Sequence, residues 1–387
     1  MLPAARVAAA IEVLDLILDG ATPEKALTGW GRTHRFAGSK DRAAIRDHVF
    51  DALRCRASYS WIGGAGTGRG IMLGAMRAAG LETDVFTGEG HAPAPVAEAE
   101  KGLDINGAPR DVRVDMPEWL LPHFDGALKE QADAVLAQLQ TRAGVFLRVN
   151  ISKGTRAAAQ SALAAEEIRC TPVRNINTAL QVTENERRVA QSDAYLSGLV
   201  ELQDPSSQKA IELLAIEPGM RVLDLCAGGG GKALAMAAMG AQVTAHDIDP
   251  RRMIDLGPRA DRAGVEITTL SMAQLEDVHP FDLVLCDAPC TGSGTWRRTP
   301  AAKWALTDDR LTELTEMQDD VLDAAVPLVR SGGVLAYATC SVFEIENEAR
   351  IQRFAARFSC FSMTSSHRMI PDDNGDGFYM STMTRAE

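Results

Sequence analysis

The chain has 387 residues, 46% of them apolar and 24% charged, with a net charge of −12. This is an ordinary globular composition, with length for two or three domains. The acidic balance excludes a protein that coats nucleic acid by bulk attraction, although a local basic face remains compatible with it. No apolar run approaches the ~20 residues of a membrane span.

The first segment, MLPAARVAAAIEVLDLILDG, has no signal-peptide shape. Val7, Ile11, Leu14 and Leu18 recur at helical spacing, and Glu12, Asp15 and Asp19 interrupt them. Residues 1–140 read as an Ala/Leu-rich helical domain. Within it, Ser39–Trp61 predicts a helix with Ser39 as N-cap and Ile45, Val49 and Leu53 on its inner face. Arg32, Arg35, Lys40, Arg42, Arg46, Arg54 and Arg56 crowd the same stretch. They form either a solvated helix face or a phosphate-contacting surface. Ile62–Gly70, IGGAGTGRG, matches neither a dinucleotide fingerprint nor a Walker loop, and reads as a flexible loop.

Residues 141–200 predict a small α/β module, with strands at Gly144–Asn150 and Thr178–Thr183 around a helix at Gly154–Glu166. Asp204 and Pro205 then open a helix as N-cap and first helical residue. From Arg221 onward strands alternate with helices: 221–226, 241–247, 265–270, 281–287 and 333–339, with a final strand at 377–384. This predicts a Rossmann-like, mostly parallel doubly wound sheet over residues 201–387. Ligands in such folds bind beyond the carboxyl ends of the strands.

Chemistry-bearing residues collect at that edge. Val222–Ala238 reads strand, glycine loop, helix, with Gly228, Gly229, Gly230 and Gly231 free to turn tightly and meet a ligand through backbone. Its spacing resembles the cofactor loop of class I S-adenosylmethionine-dependent methyltransferases. Asp247 ends the next strand, about 20 residues on, where an acid accepts ribose hydroxyls. Asp249 reads as the cap of the helix begun at Pro250. Asp287–Cys290, DAPC, follows the fourth strand, and Thr339–Ser341, TCS, follows the fifth; adjacent strands turn Cys290 and Cys340 toward one pocket. Cys286, inside its strand, reads as a buried apolar residue.

Two thiols have a use on a pyrimidine ring. A thiolate added at carbon 6 makes carbon 5 enamine-like and able to accept a methyl group from a sulfonium. An acid near ring N3 supports the developing charge, and a second thiol assists release.

The motifs VLDLCAGGGGK, AHDID, DAPCTGSGTWRRTPAAKW, YATCS and DGFYM resemble the Sun/RsmB family of RNA (cytosine-5) methyltransferases over residues 140–387. SKDRAAIRDHVFDALR resembles, more weakly, the NusB-like helical RNA-binding domain of its bacterial rRNA members. The resemblance implies Cys340 as nucleophile, Cys290 as the thiol that assists release, and Asp287 as the acid that orients or protonates cytosine. It implies S-adenosylmethionine held by Cys226, Ala227, Gly228–Gly231, Lys232, Asp247 and Asp287, and RNA, in the form of 16S rRNA or a ribosomal subunit precursor, as partner. The family loop reads CAAPGGKT, so Pro and Thr are missing here, and LSMAQ (Leu270–Gln274) lacks the family's third-strand acid.

Trp296–Trp304, WRRTPAAKW, offers aromatics and cations of the kind that bind single-stranded RNA; the plain alternative is packed aromatics with a solvated basic loop. The target base must be unstacked or flipped to reach the thiols. The seven cysteines are scattered, without a C-x-x-C pair, and the histidines lack ligand spacing. No metal and no disulfide framework are expected, and a reducing cytoplasm fits. A monomer is expected. A DNA cytosine methyltransferase is disfavoured, because no Glu-Asn-Val signature follows the Pro-Cys. A non-catalytic RNA-binding or ribosome-assembly factor that retains the fold is the remaining alternative.

Overall fold

Strand-forming Val, Leu, Ile and Ala runs build two sheets in the computed structural model, which describes Met1–Glu387. The smaller sheet contains β1 (Val145–Val149), β2 (Arg169–Pro172), β3 (Ala179–Glu184) and β4 (Val200–Leu202) in the antiparallel order β2-β3-β1-β4. The helix Arg156–Ala165 buries Ala159 and Leu163 against Leu147, Val149 and Leu180 on its face. Thr155 caps that helix by accepting from the Ala158 N–H at 3.2 Å.

The larger sheet has seven strands in the order β10-β11-β9-β8-β5-β6-β7. These are β5 (Arg221–Asp224), β6 (Gln242–Ala245), β7 (Ile267–Thr269), β8 (Phe281–Asp287), β9 (Val329–Thr339), β10 (Phe361–Met369) and β11 (Phe378–Arg385). β5 to β9 pair in parallel, whereas β11 runs antiparallel to β9 and β10 antiparallel to β11. Both faces of the parallel strands are covered, as such sheets require. Leu223, Val284, Leu335 and Tyr337 fill one layer, and Val222, Leu283, Leu285 and Ala336 the other. Asp204 caps the helix Pro205–Leu213 by accepting from the Ser206 N–H at 2.9 Å, as its Asp-Pro pair predicts.

Three strands had no legible signal. β2 and β4 are very short, and β10 is an edge strand whose outward residues Ser362–Thr364 are exposed. Without a buried face there is no period-2 pattern to read.

The chain divides into two compact units, Met1–Arg142 with Trp296–Leu306, and Ala143–Thr295 with Thr307–Glu387. The first unit is helical: α1 (Pro3–Leu18), α2 (Pro23–Thr33), α3 (Ser39–Arg54), α4 (Arg56–Gly63) and α5 (Gly68–Ala78) bury Val7, Leu14, Ile45, Val49 and Leu73. Three expectations are corrected here. Gly38, not Ser39, is the N-cap of α3, and its N–H is held by the Asp41 carboxylate at 3.3 Å. Arg54 is not on an exposed basic face; it is buried and donates to the Arg297 carbonyl at 2.7 Å.

Nor is IGGAGTGRG a flexible loop. Gly63 ends α4, Gly64 takes the left-handed turn, and Thr67 caps α5. The glycines serve close helix packing. A Cβ on Gly63 would lie 1.8 Å from the Gly70 carbonyl oxygen, and one on Gly74 would lie 1.9 Å from that of Tyr59. Gly74→Ala is therefore expected to destabilise the protein by about 3 kcal/mol through overpacking that neither backbone can relieve. Chemical denaturation of the variant against the parent checks this, and equal stability would refute the packing argument.

Candidate active site

The carboxyl ends of β5, β6, β8 and β9 carry the site. β8 and β9 pair with Asp287 opposite Ala338, and the Ala288 N–H extends the ladder to the Ala338 carbonyl at 2.9 Å. Beyond that pairing the two strands turn off into the DAPC and TCS loops. Cys290 and Cys340 meet there, with their sulfurs 3.4 Å apart.

A buried carboxylate ties the two loops together. Glu346 is fully buried and accepts from the Thr291 N–H at 2.8 Å, from the Thr291 hydroxyl at 2.5 Å and from the Gln318 amide at 3.0 Å. The Ser341 hydroxyl, next to Cys340, also donates to it. Ser293 bonds Ser341 at 2.9 Å and receives the Val342 N–H at 2.9 Å. Charge-assisted bonds of this kind are strong in a dry interior and hold the thiol loops in one geometry. Sequence reading missed Glu346, because an isolated Glu in FEIENE carries no spacing signal.

The two thiols are electrostatically unequal. The hydrogen bond shared with Cys290 lowers the Cys340 thiol below its ordinary value; Lys232 and Thr295 act in the same sense and outweigh burial and the charge of Asp287. The same bond pushes Cys290 well up, and burial and Glu346 push it further. Cys340 is thus the more acidic thiol of the pair. Cys286 is fully buried in β8, as expected, and burial pushes its thiol well up.

Lys232 starts the helix Gly231–Ala238, yet its ammonium turns away from the glycines and onto the Asp287 carboxylate at 2.6 Å. Burial disfavours its charge, but Asp287 more than compensates and the lysine is raised. Asp224, at the end of β5, completes the group. It is 1% exposed, and one of its carboxylate oxygens has no hydrogen-bond partner. Burial first, and then the charge of Asp287, push it up to about 7. Its place in the sequence, two residues before Cys226 at the head of the glycine loop, is its only sequence signal.

The glycine loop forms a cradle. Gly228 and Gly230 have φ of +50° and +80°, which favour glycine. A Cβ on Gly230 would lie 2.0 Å from Leu256. Cys226, before the loop, has its thiol pushed up, chiefly by burial. Asp247 is buried and accepts from the Gly228 N–H at 2.9 Å and the Asp249 N–H at 3.0 Å. It also meets Arg252 at 3.1 Å, on a side chain that is 55% exposed and able to swing aside for a hydroxyl-bearing ligand. Asp249 caps the short helix at Pro250–Met253, as expected. His246 is a packing residue, its Nδ1 2.9 Å from the Leu270 carbonyl oxygen. Ser271 does not replace the missing third-strand acid: its N–H and hydroxyl both donate to Gln274 at 2.9 Å. An unpartnered carboxylate oxygen, a glycine cradle and a buried acid at the tip of the next strand together fit a nucleoside bearing a cationic tail.

WRRTPAAKW does not supply an RNA-stacking surface. Trp296, Arg297 and Lys303 are each 1% exposed and pack with the helical unit. The Lys303 ammonium donates to the Arg54 carbonyl and the Trp304 indole to the Leu53 carbonyl, both at 2.8 Å. Polar caps on buried long side chains explain this segment structurally. No helix is long and apolar enough to cross a membrane, and no group of three or more His, Cys, Asp or Glu is arranged to hold a metal ion.

Strand order, glycine cradle and thiol edge define a methyltransferase of the Rossmann-like class. The model of the 16S rRNA methyltransferase RsmB/F family matches residues 211–384, and that of the RsmF/B-like ferredoxin-like domain matches residues 116–189. Ribosomal RNA small subunit methyltransferase B of Salmonella arizonae is 31% identical over 72% of this chain and 68% of its own length. The enzyme of the same name from Citrobacter koseri is 31% identical over 74% of this chain and 70% of its own. The chain therefore belongs to the RsmB/F family of methyltransferases. Among solved structures, PH0851 covers 99% of both chains with TM-score 0.75 at 22% identity. NSun6 from Pyrococcus horikoshii, solved with SFG, covers 70% of this chain and 98% of its own with TM-score 0.62 at 16% identity. These show a shared fold.

Two outcomes follow from the charges. At neutral pH, iodoacetamide is expected to label Cys340 before Cys290, and Cys290→Ala should slow labelling of Cys340 by removing its hydrogen-bond donor. Peptide mapping by mass spectrometry reads this; faster labelling of Cys290 in the parent would reverse the polarity assigned. Asp224 keeps its proton in the fold up to about pH 7, whereas the unfolded chain loses it near its ordinary value of 3.8. The folded state thus binds more protons across that window, and stability falls as pH rises through it. Asp224→Asn should flatten this slope and be more stable than the parent at pH 8, by on the order of 4 kcal/mol at most. Thermal melts at pH 5 and pH 8 test this, and unchanged pH dependence would reject it.

Proposed function

We propose that this protein transfers a methyl group from S-adenosylmethionine to carbon 5 of a cytosine in ribosomal RNA through a covalent Cys340 adduct. The observation that carries the reading is the 3.4 Å approach of the two thiols beside the Lys232–Asp287 pair. A thiolate, a proton holder and an acid–base pair at one sheet edge are what addition to a pyrimidine needs.

S-adenosylmethionine held at the glycine loop would supply an electrophilic methyl group, its sulfonium leaving as the neutral thioether. Cys340 adds its thiolate to carbon 6 and forms a C–S bond, so that electron density moves into the ring and makes carbon 5 nucleophilic. Asp287, braced by Lys232, meets the ring in its protonated form and donates that proton toward N3, where negative charge develops. Once carbon 5 carries the methyl group, its proton leaves as a base removes it, the C–S bond breaks and the electron pair returns to sulfur. Cys290 assists that departure by donating its S–H to the leaving Cys340 thiolate across the 3.4 Å contact of the resting pair. Glu346 keeps both thiol loops in register throughout.

The family membership and the names of the relatives support ribosomal RNA as the polymer. The half-buried position of the thiols at the strand ends supports a flipped base as the reacting form. The helical unit retains Arg32, Arg35, Lys40, Arg42 and Arg46 as exposed cations on and beside α3, suited to phosphate contacts.

Incubation with labelled S-adenosylmethionine and small-subunit rRNA tests the assignment. Cys340→Ala is expected to lose transfer by at least about a thousand-fold, as loss of a covalent nucleophile does. Cys290→Ala is expected to accumulate a protein–RNA adduct that survives denaturing electrophoresis. Full turnover by Cys340→Ala, or an adduct formed through Cys290, would overturn the roles. Absence of S-adenosylmethionine binding in calorimetry would favour a non-catalytic assembly factor.

A further inference from the structure

Four consecutive glycines, Gly228–Gly231, are an entropic burden, because glycine loses more backbone freedom on ordering than any other residue. A donor site built on such a loop needs something to hold it. Two arginines outside the motif do so. Arg148, in β1 of the smaller sheet, donates from one Nη to the Gly231 carbonyl and to the Gln203 side-chain oxygen, each at 2.6 Å. Arg259, in the helix Leu256–Ala263, donates to the Gly229 carbonyl. Neither residue lies in a motif or has a role in the chemistry above.

The pair is costly to maintain, which argues against an incidental arrangement. Arg148 is 6% exposed and its Nε has no partner. A single carboxylate, Glu201, serves the cluster: it lies 2.6 Å from Arg262 and 3.5 Å from Arg259, and it is buried. A buried guanidinium left partly unsatisfied is retained where its remaining bonds have a use.

The geometry at Gly229 adds a second, independent point. A Cβ built there would lie 2.8 Å from the Arg259 Nη1, so the guanidinium occupies the space a side chain at 229 would fill. Gly229 lies outside the left-handed region, and its N–H makes no hydrogen bond. Proline at 229 would therefore forfeit no backbone hydrogen bond, and its ring would meet Arg259. The arginine and a ring at position 229 are alternative ways of stiffening the same turn.

We propose that Arg259 and Arg148 are positioning residues for the methyl-donor loop, gripping the Gly229 and Gly231 carbonyls so that the four glycines are ordered before the donor arrives. This rests on the reading of the loop as the S-adenosylmethionine site. The pre-ordering removes an entropic cost from binding, so its loss appears in donor affinity rather than in the chemical step.

The experiment is a two-by-two set, parent, Arg259→Ala, Gly229→Pro and the double variant, each titrated with S-adenosylmethionine by calorimetry without RNA. Arg259→Ala is expected to bind about ten-fold more weakly, the scale of one charge-assisted hydrogen bond. Gly229→Pro alone should also weaken binding, through its clash with Arg259. The double variant should recover most of the lost affinity, because the ring stiffens the turn and occupies the vacated space. In steady-state assays Arg259→Ala should raise KM for the donor while leaving kcat and KM for RNA nearly unchanged. Hydrogen exchange at Gly230 and Gly231 should quicken in Arg259→Ala and slow again in the double variant. Parent-like affinity in Arg259→Ala, or a double variant no better than Arg259→Ala, would overturn the proposal. A parent protein that does not bind the donor at all would instead overturn the reading of the loop. Should Arg259→Ala unfold, Arg148→Lys tests the second grip by the same titration, and unchanged affinity there counts against the proposal.

Discussion

β8 and β9 lie side by side in parallel, with Asp287 opposite Ala338, and the chemistry of the site depends on that register. Side chains in a strand alternate between faces, so a one-residue slip would send every buried group of one strand to the opposite layer. Here both strands are buried on both faces, with Leu283, Val284, Leu285, Leu335, Ala336 and Tyr337 all at or near zero exposure, and a slip is correspondingly expensive. The Tyr337 hydroxyl locks β9 further by donating to the Glu346 carbonyl at 2.6 Å. Two sulfurs from loops fifty residues apart come together as a consequence of this packing.

Charge then differentiates groups that packing alone would leave alike. Asp224 and Asp287 share one edge, and the lone Lys232 sits on Asp287. Asp224, with burial and a like charge against it, is pushed up to about 7, and the Lys232 ammonium lies on Asp287 at 2.6 Å. The thiols divide in the same way, Cys340 beside Lys232 and Cys290 beside Glu346. Pairs of titratable groups pushed apart by their surroundings are how acid and base roles separate within one pocket.

Much of this was legible in the chain because the signals were local. A strand–glycine loop–helix, acids at strand tips, and thiols just past apolar runs each need only a few adjacent residues, and β8 spans the residues its apolar run predicts. What could not be read depends on partners distant in sequence. Glu346 is found only through Thr291, and Arg148 only through Gly231, 83 residues away. WRRTPAAKW misled because cations and aromatics suit both a stacking surface and a capped core. What decides between them is whether backbone carbonyls such as those of Arg54 and Leu53 are within reach. IGGAGTGRG misled for a related reason: glycine marks freedom when isolated and close approach when it faces another helix.

The smaller sheet is therefore more than a spacer next to the catalytic sheet. β1 carries Arg148 to the glycine loop, and β4 carries Glu201 to the arginines of the helix Leu256–Ala263. Asn150, at the end of β1, adds bonds to the Gly198 and Ala263 carbonyls at 3.1 and 2.8 Å. A loop of bare glycines has no side chains with which to hold itself, so its order has to come from neighbours that reach its carbonyls. In this chain those neighbours come from the ferredoxin-like sheet and from the helix after β6. A glycine loop that looks self-contained in the sequence is, in the folded protein, held jointly by the smaller sheet and the helix after β6.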